Sequence, residues 1–282
     1  MMNIVTKIIA IYTLTRPINC LLTFASIIVA AYLAYEIQIN ITNVLLATIS
    51  AALTAAAGNV VNDIYDFKSD SINKPARPLP SRILTVRVAW ISYTILLVFA
   101  LFLSQHINRL SFLIVLSANV MLLYYSFKGK RVILLGNIIV AILTGLVFIY
   151  GAAAVENIKG GVIPAIFALM INLIREIIKD IEDLKGDKLT GVITFPAKYG
   201  IEKSRLLITF LTALLILFTI YPFAGGIYAV EYFIVVMIIV NPLMVYISKE
   251  LYKPKEFINL NRLSFLLKSN MGFGMLSLYL GK

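Results

Sequence analysis

Long apolar runs separated by short charged segments make up most of the chain. Eight charge-free runs, and a ninth that contains only Lys268, approach or exceed the roughly 20 apolar residues that a helix needs to cross a bilayer core of about 30 Å. The sixth run is short, but its apolar pattern continues past Arg175. The runs predict nine membrane-spanning helices, at residues 17–35, 37–62, 88–108, 110–127, 132–155, 160–174, 206–230, 232–248 and 263–281.

The segment ahead of the first run lacks the features of a cleavable signal peptide. Lys7 is followed by a weak apolar stretch and Arg16, and no small-residue cleavage site closes that stretch. We expect residues 2–14 to form an amphipathic helix at the membrane interface. Residues 1–282 are thus predicted to form one all-α, polytopic integral membrane domain. It would be a bundle of about nine transmembrane helices with helical, Asp-rich cytoplasmic loops near 63–82 and 180–200.

The composition limits the chemistry that the chain can perform. Hydrophobic residues make up 60% and charged residues 14% of the 282 positions, whereas soluble proteins are about 25% charged. The single cysteine, Cys20, excludes an internal disulfide, and the single histidine, His106, argues against a histidine-based metal site. The chemistry must therefore rest on carboxylates, hydroxyls, amides and basic side chains.

The positive charge of the chain indicates how it sits in the membrane. A net charge of +11 would suit a nucleic-acid partner. The basic residues lie between the apolar runs, however, so the membrane surface explains the charge better than nucleic acid does. With nine helices, the N-terminus and the loops after the even-numbered helices share one side and hold nearly all the Lys and Arg. The other side holds only Arg109, Lys159 and Lys282. Excess Lys and Arg mark the cytoplasmic side of a membrane. We therefore expect a protein of the cell membrane in which the loops after the even-numbered helices face the cytoplasm.

All six aspartates lie in two of the predicted cytoplasmic loops and repeat one spacing, D-x-x-D-x-x-x-D. Offsets of three and seven residues place side chains within about 60° on one helical face. Three carboxylates so close repel one another unless a cation lies among them. The first acidic segment is Asp63, Asp66 and Asp70, and the second is Asp180, Asp183 and Asp187.

Two acidic faces brought together at one rim would form an all-oxygen site that favours Mg²⁺. Aspartates at the ends of membrane helices are often only solvated interface groups, but two matching triplets, with no other aspartate, favour a function. The matching spacing also suggests an internal duplication. Magnesium in such a site keeps positions open for phosphate oxygens, and nearby bases would bind the rest of a polyanion. These bases are Lys68, Lys74, Arg77, Lys128, Lys130, Arg175, Lys179 and Lys185.

Four motifs resemble the UbiA-type intramembrane prenyltransferases and lie in the order of that family. Residues 59–70 (NVVNDIYDFKSD) with 73–81 (NKPARPLPS) resemble its first signature, and residues 179–187 (KDIEDLKGD) with 194–200 resemble its second. Tyr124 and Lys128 are similar to its Tyr-x-x-x-Lys pair, and Arg16 with Asn19 is similar to the entry of its first helix. The chain departs from the pattern at Arg82, where relatives often have glycine.

The resemblance implies that the aspartates bind magnesium and a prenyl diphosphate, whose C–O bond breaks to give an allylic cation. The metal ligands would be Asp63, Asp66, Asp70, Asp180, Asp183 and Asp187, and the catalytic residues Asp66, Asp183, Tyr124 and Lys179. The substrate-binding residues would be Arg16, Asn59, Asn62, Lys68, Lys74, Arg77, Lys128, Lys130, Arg175 and Lys185. A dry apolar chamber would protect the cation, and aromatic faces would stabilise it; the candidates are Tyr65, Phe67, Tyr124 and Tyr125.

Within the family, residues 175–187 (REIIKDIEDLKGD) are most similar to the archaeal digeranylgeranylglyceryl phosphate synthases. This similarity implies geranylgeranyl diphosphate as the donor and geranylgeranylglyceryl phosphate, a lipid phosphate, as the acceptor. The phosphate of such an acceptor needs cationic residues in addition to those that bind the diphosphate. The candidates are Lys74, Lys130, Arg131, Arg175 and Lys185.

Three alternatives stay open. Another member of the same family could act on an aromatic acid, a quinone precursor or a porphyrin, with the metal site unchanged. An alcohol phosphotransferase is disfavoured because its Asp-Gly-x-x-Ala-Arg signature is absent. A secondary transporter would carry ionisable groups near the membrane midplane on broken helices, whereas these aspartates lie at helix ends beside basic loops.

Overall fold

The computed structural model describes residues 4–36, 39–184, 193–254 and 258–282, which form helices and turns with no strand among them. This confirms the predicted all-α fold. A 3₁₀ turn covers Gly129–Arg131, and a π-helical segment, Val236–Val240, joins α10 to α11. The helices, in chain order, are α1 Ile4–Thr15, α2 Pro17–Ala34, α3 Ile41–Tyr65, α4 Phe67–Asn73, α5 Val86–Gln105, α6 Arg109–Phe127, α7 Leu135–Ala154, α8 Ile158–Glu182, α9 Phe195–Ala224, α10 Val230–Val235, α11 Asn241–Glu250 and α12 Leu260–Gly281.

Eight helical stretches among the described residues are long and apolar enough to cross a membrane. They match the first eight predicted spans, with α10, the π-helical segment and α11 forming the eighth. The ninth predicted span is also helical and has 22 residues, or about 33 Å. It falls outside the set of eight because Arg262, Lys268 and several polar residues lower its hydropathy. The chain is therefore a multi-pass membrane protein.

The N-terminal helix is present as α1, as the sequence predicted. Ile8, Ile9 and Tyr12 are exposed, whereas Leu14 is buried in a cluster that includes Val61 of α3. An exposed apolar side together with an anchored end fits a helix at the membrane interface.

The seventh span differs from its predicted limits. The apolar run predicted residues 206–230, but α9 already begins at Phe195. Gly200 interrupts the helix with φ 85° and ψ 166°. Glycine adopts this conformation more readily than other residues do. The chain bends at Gly200, so a short helical segment precedes the apolar part of α9.

Two compact units make up the chain, and α3 is the central helix of the first unit, which comprises residues 1–129 and 146–161. Helix α3 contacts α1, α2, α5 and α6. Small residues allow helices of this unit to approach closely. A Cβ at Gly151 of α7 would lie 2.6 Å from Cβ of Ala30 and 2.8 Å from the carbonyl oxygen of Ile27, both in α2.

The second unit comprises residues 130–145 and 162–282, and α8, α9, α11 and α12 build its core. Ile174 and Ile178 of α8 belong to the same buried cluster as Leu267 of α12. Asn270 of α12 donates a hydrogen bond to the carbonyl oxygen of Val240 in the π-helical segment, at 3.2 Å. Hydrogen bonds of this kind join helices within a membrane, and this one fixes α12 within the unit.

Candidate active site

The first acidic segment follows a nearly continuous helical path from α3 through Asp66 into α4. The amide of Asp66 donates to the carbonyl of Asn62 at 2.9 Å, and the amide of Asp70 donates to the carbonyl of Asp66 at 2.8 Å. Asp63 and Asp70 are buried and Asp66 is half-buried. Seven residues make almost two helical turns, so Asp63 and Asp70 point in one direction, as the spacing predicted.

A single guanidinium group bridges the two buried aspartates. Nη1 of Arg77 donates to Oδ2 of Asp70 at 2.5 Å and to Oδ1 of Asp63 at 3.2 Å. Leu79 and Leu84 anchor the loop that carries Arg77, because both are buried in the cluster around α3. The loop thus holds a predicted substrate-binding base against the first acidic segment.

A second guanidinium reaches Asp63 from the junction of α1 and α2. Nη2 of Arg16 donates to Oδ1 of Asp63. Arg16 has φ 51° and ψ 69°, a left-handed conformation that is uncommon outside glycine. Nδ2 of Asn59 donates to the carbonyl of Thr15 at 2.9 Å, which ties this turn to α3. Asn59 therefore helps to present Arg16, and its predicted contact with ligand stays a prediction.

Asn62 carries a buried side-chain oxygen that has no hydrogen-bond partner within the described part of the chain. Leaving a buried acceptor unsatisfied costs about 1–3 kcal/mol, and an ion or a water molecule commonly explains such a group. With the neighbouring carboxylates, Asn62 gives a donor set made of oxygen alone, the kind that Mg²⁺ prefers. The chemistry of these donors fits a divalent cation.

The carboxylates that the structure describes are not gathered into a ready metal cluster. Across the described part of the chain, no group of three or more Asp, Glu, His or Cys side chains is placed to hold an ion. Asp63 and Asp70 are instead paired with Arg16 and Arg77. The two arginines thus neutralise part of the negative charge of the first acidic segment.

The second acidic segment begins near the end of α8. Asp180 accepts a hydrogen bond from Nδ2 of Asn137 in α7 at 2.8 Å, and Asp183 is exposed just beyond the helix. Asp187 and Lys185 lie outside the described residues. The predicted convergence of the two acidic segments stays a prediction, as do the metal-binding roles of these residues.

Glu176 and Asn137 were missed by the sequence analysis. Glu176 is buried and accepts hydrogen bonds from Nη1 of Arg175 at 2.7 Å and from Nζ of Lys179 at 3.0 Å. The spacing of three residues between Glu176 and Lys179 was a visible signal for an ion pair on one helical face. Asn137 lies 43 residues from Asp180, so no local pattern could have identified it.

The remaining predicted residues of the region are located but have no role tested by the structure. Lys68 and Lys74 are exposed around α4, and Lys130 is half-buried in the 3₁₀ turn. Lys128 is exposed at the end of α6, where its amide donates to the carbonyl of Tyr124 at 2.9 Å. The side chain of Tyr124 is exposed as well.

An aromatic group lies directly beside the first acidic segment. The ring of Tyr65 meets Phe127 edge-on with centroids 5.9 Å apart, and Trp90 edge-on at 6.2 Å. Such aromatic pairs stabilise packing, and their faces can also attract a cation. Tyr65 was predicted to be one of the residues that face the allylic cation.

Comparisons with known proteins agree with the motifs. Residues 23–267 match the profile of the UbiA prenyltransferase family. The chain is 38% identical over 226 residues to the digeranylgeranylglyceryl phosphate synthase of Methanococcus aeolicus, covering 80% of each protein. A solved structure concerning digeranylgeranylglyceryl phosphate synthase has a TM-score of 0.83 and 34% identity over 98% of both chains. A UbiA homologue from Archaeoglobus fulgidus, bound to GPP and Mg²⁺, shares the fold with a TM-score of 0.65 and 19% identity, covering 95% of this chain and 99% of the homologue.

Proposed function

The chain belongs to the UbiA prenyltransferase family, and from this premise we propose that it forms digeranylgeranylglyceryl phosphate for archaeal ether lipids. The donor is geranylgeranyl diphosphate and the acceptor is geranylgeranylglyceryl phosphate. The identity of 38% to a curated synthase over most of both chains supports this choice of substrates. The protein is a prenyltransferase, and what we propose is the identity of its acceptor.

The observation that carries the proposal is the pairing of two buried carboxylates with two arginines at the end of α3. A diphosphate needs both a divalent cation and direct donors, and the first acidic segment offers oxygen ligands beside Arg16 and Arg77. The guanidinium group is a planar fork that matches phosphate oxygens in two-point contacts. Asp63 and Asp70 together hold the guanidinium groups of Arg16 and Arg77 beside the first acidic segment.

We assign the divalent cation to Mg²⁺. Asn62, with its unpartnered oxygen, and the first acidic segment would hold it, and the second acidic segment would supply the carboxylates for a second ion. When bound, magnesium neutralises the charge of a diphosphate and so makes it a better leaving group. Lys128 would add contacts to the oxygens of the diphosphate, and Lys179 would contact those of the acceptor phosphate.

The reaction proceeds by loss of the diphosphate from the first carbon of the prenyl chain. The C–O bond breaks with its electron pair on the leaving oxygen, and the free glycerol hydroxyl then attacks the allylic cation and loses its proton. The aromatic faces of Tyr65, beside the first acidic segment, and of Tyr124 would stabilise the cation. The apolar helices exclude water, which would otherwise trap the cation as an alcohol.

The test is to assay product formation by the purified, full-length protein in lipid with both substrates and Mg²⁺. We expect release of pyrophosphate together with a diether product of the mass of digeranylgeranylglyceryl phosphate. A parallel panel should contain an aromatic acid, a quinone precursor and a porphyrin as acceptors. Preferential prenylation of one of these would reject the proposed acceptor and leave the enzyme class intact.

The metal assignment has its own test in the central aspartates of the two acidic segments. Asp66→Ala and Asp183→Ala should each lower turnover by at least about a hundredfold, because several kcal/mol of charge stabilisation are lost. Full activity of the double variant would end the assignment. Glu231→Ala, which removes an exposed carboxylate in the first turn of α10, is the matched control and should keep full activity.

A further inference from the structure

One face of α8 carries a continuous row of polar side chains. Asn172, Glu176, Lys179 and Asp183 are separated by four, three and four residues, which places them along one side of a helix. Arg175 lies next to Glu176 on the same side. The row extends from the exposed Asp183 toward the interior of the span, and Arg175 lies about 12 Å from Asp183 along the axis.

The cations of this row outnumber its buried carboxylate. Glu176 accepts hydrogen bonds from Arg175 and Lys179, and Lys268 of α12 interacts electrostatically with all three of these residues. At the inner part of the row three cations surround one carboxylate, an excess of two positive charges before the exposed Asp183, four residues beyond Lys179, is counted. Such an excess within a membrane helix is unfavourable unless an anion compensates it. Leu267, the neighbour of Lys268, belongs to the same buried cluster as Ile174 of α8, and Lys268 itself is exposed at the edge of that cluster.

Two hydrogen-bond donors in the same row lack acceptors. Nδ2 of Asn172 and Nε of Arg175 are buried and have no partner among the residues that the structure describes. Asn172 is only 5% exposed, so solvent does not satisfy its amide. Both atoms are donors, and they lie within one helical turn of each other. The missing group is therefore an acceptor of hydrogen bonds and, given the excess charge, an anion.

We propose that Asn172, Arg175, Lys179 and Lys268 bind the phosphate group of the acceptor lipid, with Glu176 as a positioning residue that holds the cations in place. This inference rests on the proposed function, since it needs a phosphorylated acceptor. A phosphate monoester carries between one and a half and two negative charges at neutral pH and three acceptor oxygens. It therefore matches both the excess charge and the unpartnered donors.

The donor diphosphate fits this cluster less well than the acceptor phosphate does. Glu176 is the only carboxylate among the four charged residues, and Arg175 and Lys179 already engage it. At the depth of Glu176 the cluster therefore has no further oxygen ligand for the magnesium ion that would accompany a diphosphate, and Asp183, which is assigned to metal, lies at the outer end of the row. A group of cations with no metal ligands instead recognises phosphate directly, through charge-assisted hydrogen bonds. The sequence analysis assigned Arg175 to the acceptor phosphate but did not single out Lys268 or Asn172.

The test uses Lys268→Met in the full-length protein with two acceptors, geranylgeranylglyceryl phosphate and the corresponding alcohol without phosphate. We expect KM for the phosphorylated acceptor to rise about tenfold or more, as befits loss of a charged hydrogen bond. KM for the donor and turnover of the alcohol should stay within about twofold of the wild type. Lys268→Arg should restore the preference for the phosphorylated acceptor.

The matched control is Arg262→Met, because Arg262 and Lys268 are both exposed cations of the same helix, and this variant should change neither acceptor preference nor KM. If Lys268→Met affects both acceptors equally, raises KM for the donor, or changes nothing, the inference is overturned while the proposed function stands. A merely structural role of Lys268 would not change the ratio of the two acceptors.

A binding measurement separates failure of the inference from failure of the proposed function. The phosphorylated acceptor alone should raise the thermal midpoint of the wild-type protein, and Lys268→Met should abolish that rise. If the wild type forms no diether but shows this Lys268-dependent rise, the proposed function fails and the phosphate site stands. If the rise is absent or equal in both proteins, the phosphate site is overturned.

Discussion

Nη1 of Arg77 lies 2.5 Å from Oδ2 of Asp70, seven residues earlier in the chain. The same atom also contacts Asp63, and Arg16 pairs with Asp63 from the other direction. The side chains of Asp63 and Asp70 are only 6% and 8% exposed. Two carboxylates so deeply buried on one helical face would repel each other strongly without the guanidinium groups between them.

Arg77→Gln should therefore destabilise the protein when no divalent cation is present. Removing one partner of a buried ion pair leaves an uncompensated charge and typically costs 3–5 kcal/mol. Because Arg77 itself is 26% exposed, solvent screening reduces this, and we expect a loss of about 2 kcal/mol. The measurement is the thermal midpoint in detergent with a chelator.

Arg87→Gln provides the control for that change, because Arg87 is exposed at the start of α5 and the charge removed is the same. Its midpoint should stay close to that of the wild type. Added Mg²⁺ should stabilise Arg77→Gln more than the wild type, since the cation then compensates the same carboxylates. Equal midpoints of Arg77→Gln and Arg87→Gln in chelator would contradict the role given to Arg77.

The sequence could predict the positions of the aspartates but not the arrangement of their partners. Asp63 and Asp70 share a face because seven residues are nearly two turns, which is visible in the spacing. The approach of Arg16 to Asp63 depends on a left-handed turn and on the contact between Asn59 and Thr15. These are tertiary contacts between α1 and α3, and no local pattern encodes them.

The membrane-spanning helices could be predicted from the sequence, and the errors of that prediction have physical reasons. Apolar runs identify spans because a helix must match the thickness of the bilayer, and eight of the predicted runs became such helices. The start of α9 at Phe195 was missed because the polar residues before Leu206 lie outside any apolar run. The spacing of Glu176 and Lys179 was visible in the sequence, but the burial of Glu176 depends on tertiary packing, which the sequence pattern does not show.

Arg82 gives a prediction about backbone strain, because it has φ 60° in the loop after Arg77. A left-handed conformation costs an ordinary residue about 1–2 kcal/mol, whereas glycine tolerates it but loses about 0.5–1 kcal/mol through its greater freedom when unfolded. Arg82→Gly should therefore change the free energy of unfolding by less than about 1 kcal/mol, and in the stabilising direction. Arg82→Ile should lower it, because a β-branched side chain fits this conformation poorly.

The free energy of unfolding of both Arg82 variants can be measured by denaturant or thermal unfolding in detergent. Lys203→Gly, at an exposed position inside α9, is the control and should lose about 1 kcal/mol, the usual cost of glycine in a helix. A loss of that size for Arg82→Gly would show that the left-handed turn is not what the loop requires.

Gly151 tests the close packing of α7 on α2. A methyl group at this position would lie 2.6 Å from Cβ of Ala30 and 2.8 Å from the backbone oxygen of Ile27. Because a backbone atom cannot move aside as a flexible side chain can, Gly151→Ala should cost about 1–3 kcal/mol. Gly272→Ala is the matched variant, since a Cβ there meets nothing within 4 Å, and it should stabilise α12 by about 0.5–1 kcal/mol.

The two glycine variants should thus shift the thermal midpoint in opposite directions. Each replaces a glycine by alanine within a spanning-length helix, so the change in helix propensity is the same and only the surroundings differ. Measuring both in one detergent isolates the contact between α7 and α2. A stabilising Gly151→Ala would mean that the two helices can separate at no cost.

The excess of Lys and Arg in the loops after even-numbered spans predicts which side of the membrane the acidic segments face. Single cysteines in a Cys20→Ser background can report this, because Cys20 is the only native cysteine. Ser81→Cys and Ile193→Cys place reporters at exposed positions that follow the first acidic segment and the described part of the second. An impermeant thiol reagent added to intact cells should leave both unlabelled, and added to inverted membrane vesicles it should label both.

Glu156→Cys, at an exposed position in the turn between α7 and α8, should show the reverse pattern, with labelling in intact cells. It serves as the control that the reagent reaches outer residues and that the vesicles are inverted. The prediction has a physical basis, because both acidic segments can serve one diphosphate only if they are reached from the same aqueous side. Labelling of Ser81→Cys and Ile193→Cys from opposite sides would therefore contradict the cytoplasmic orientation and also the joint use of the two segments.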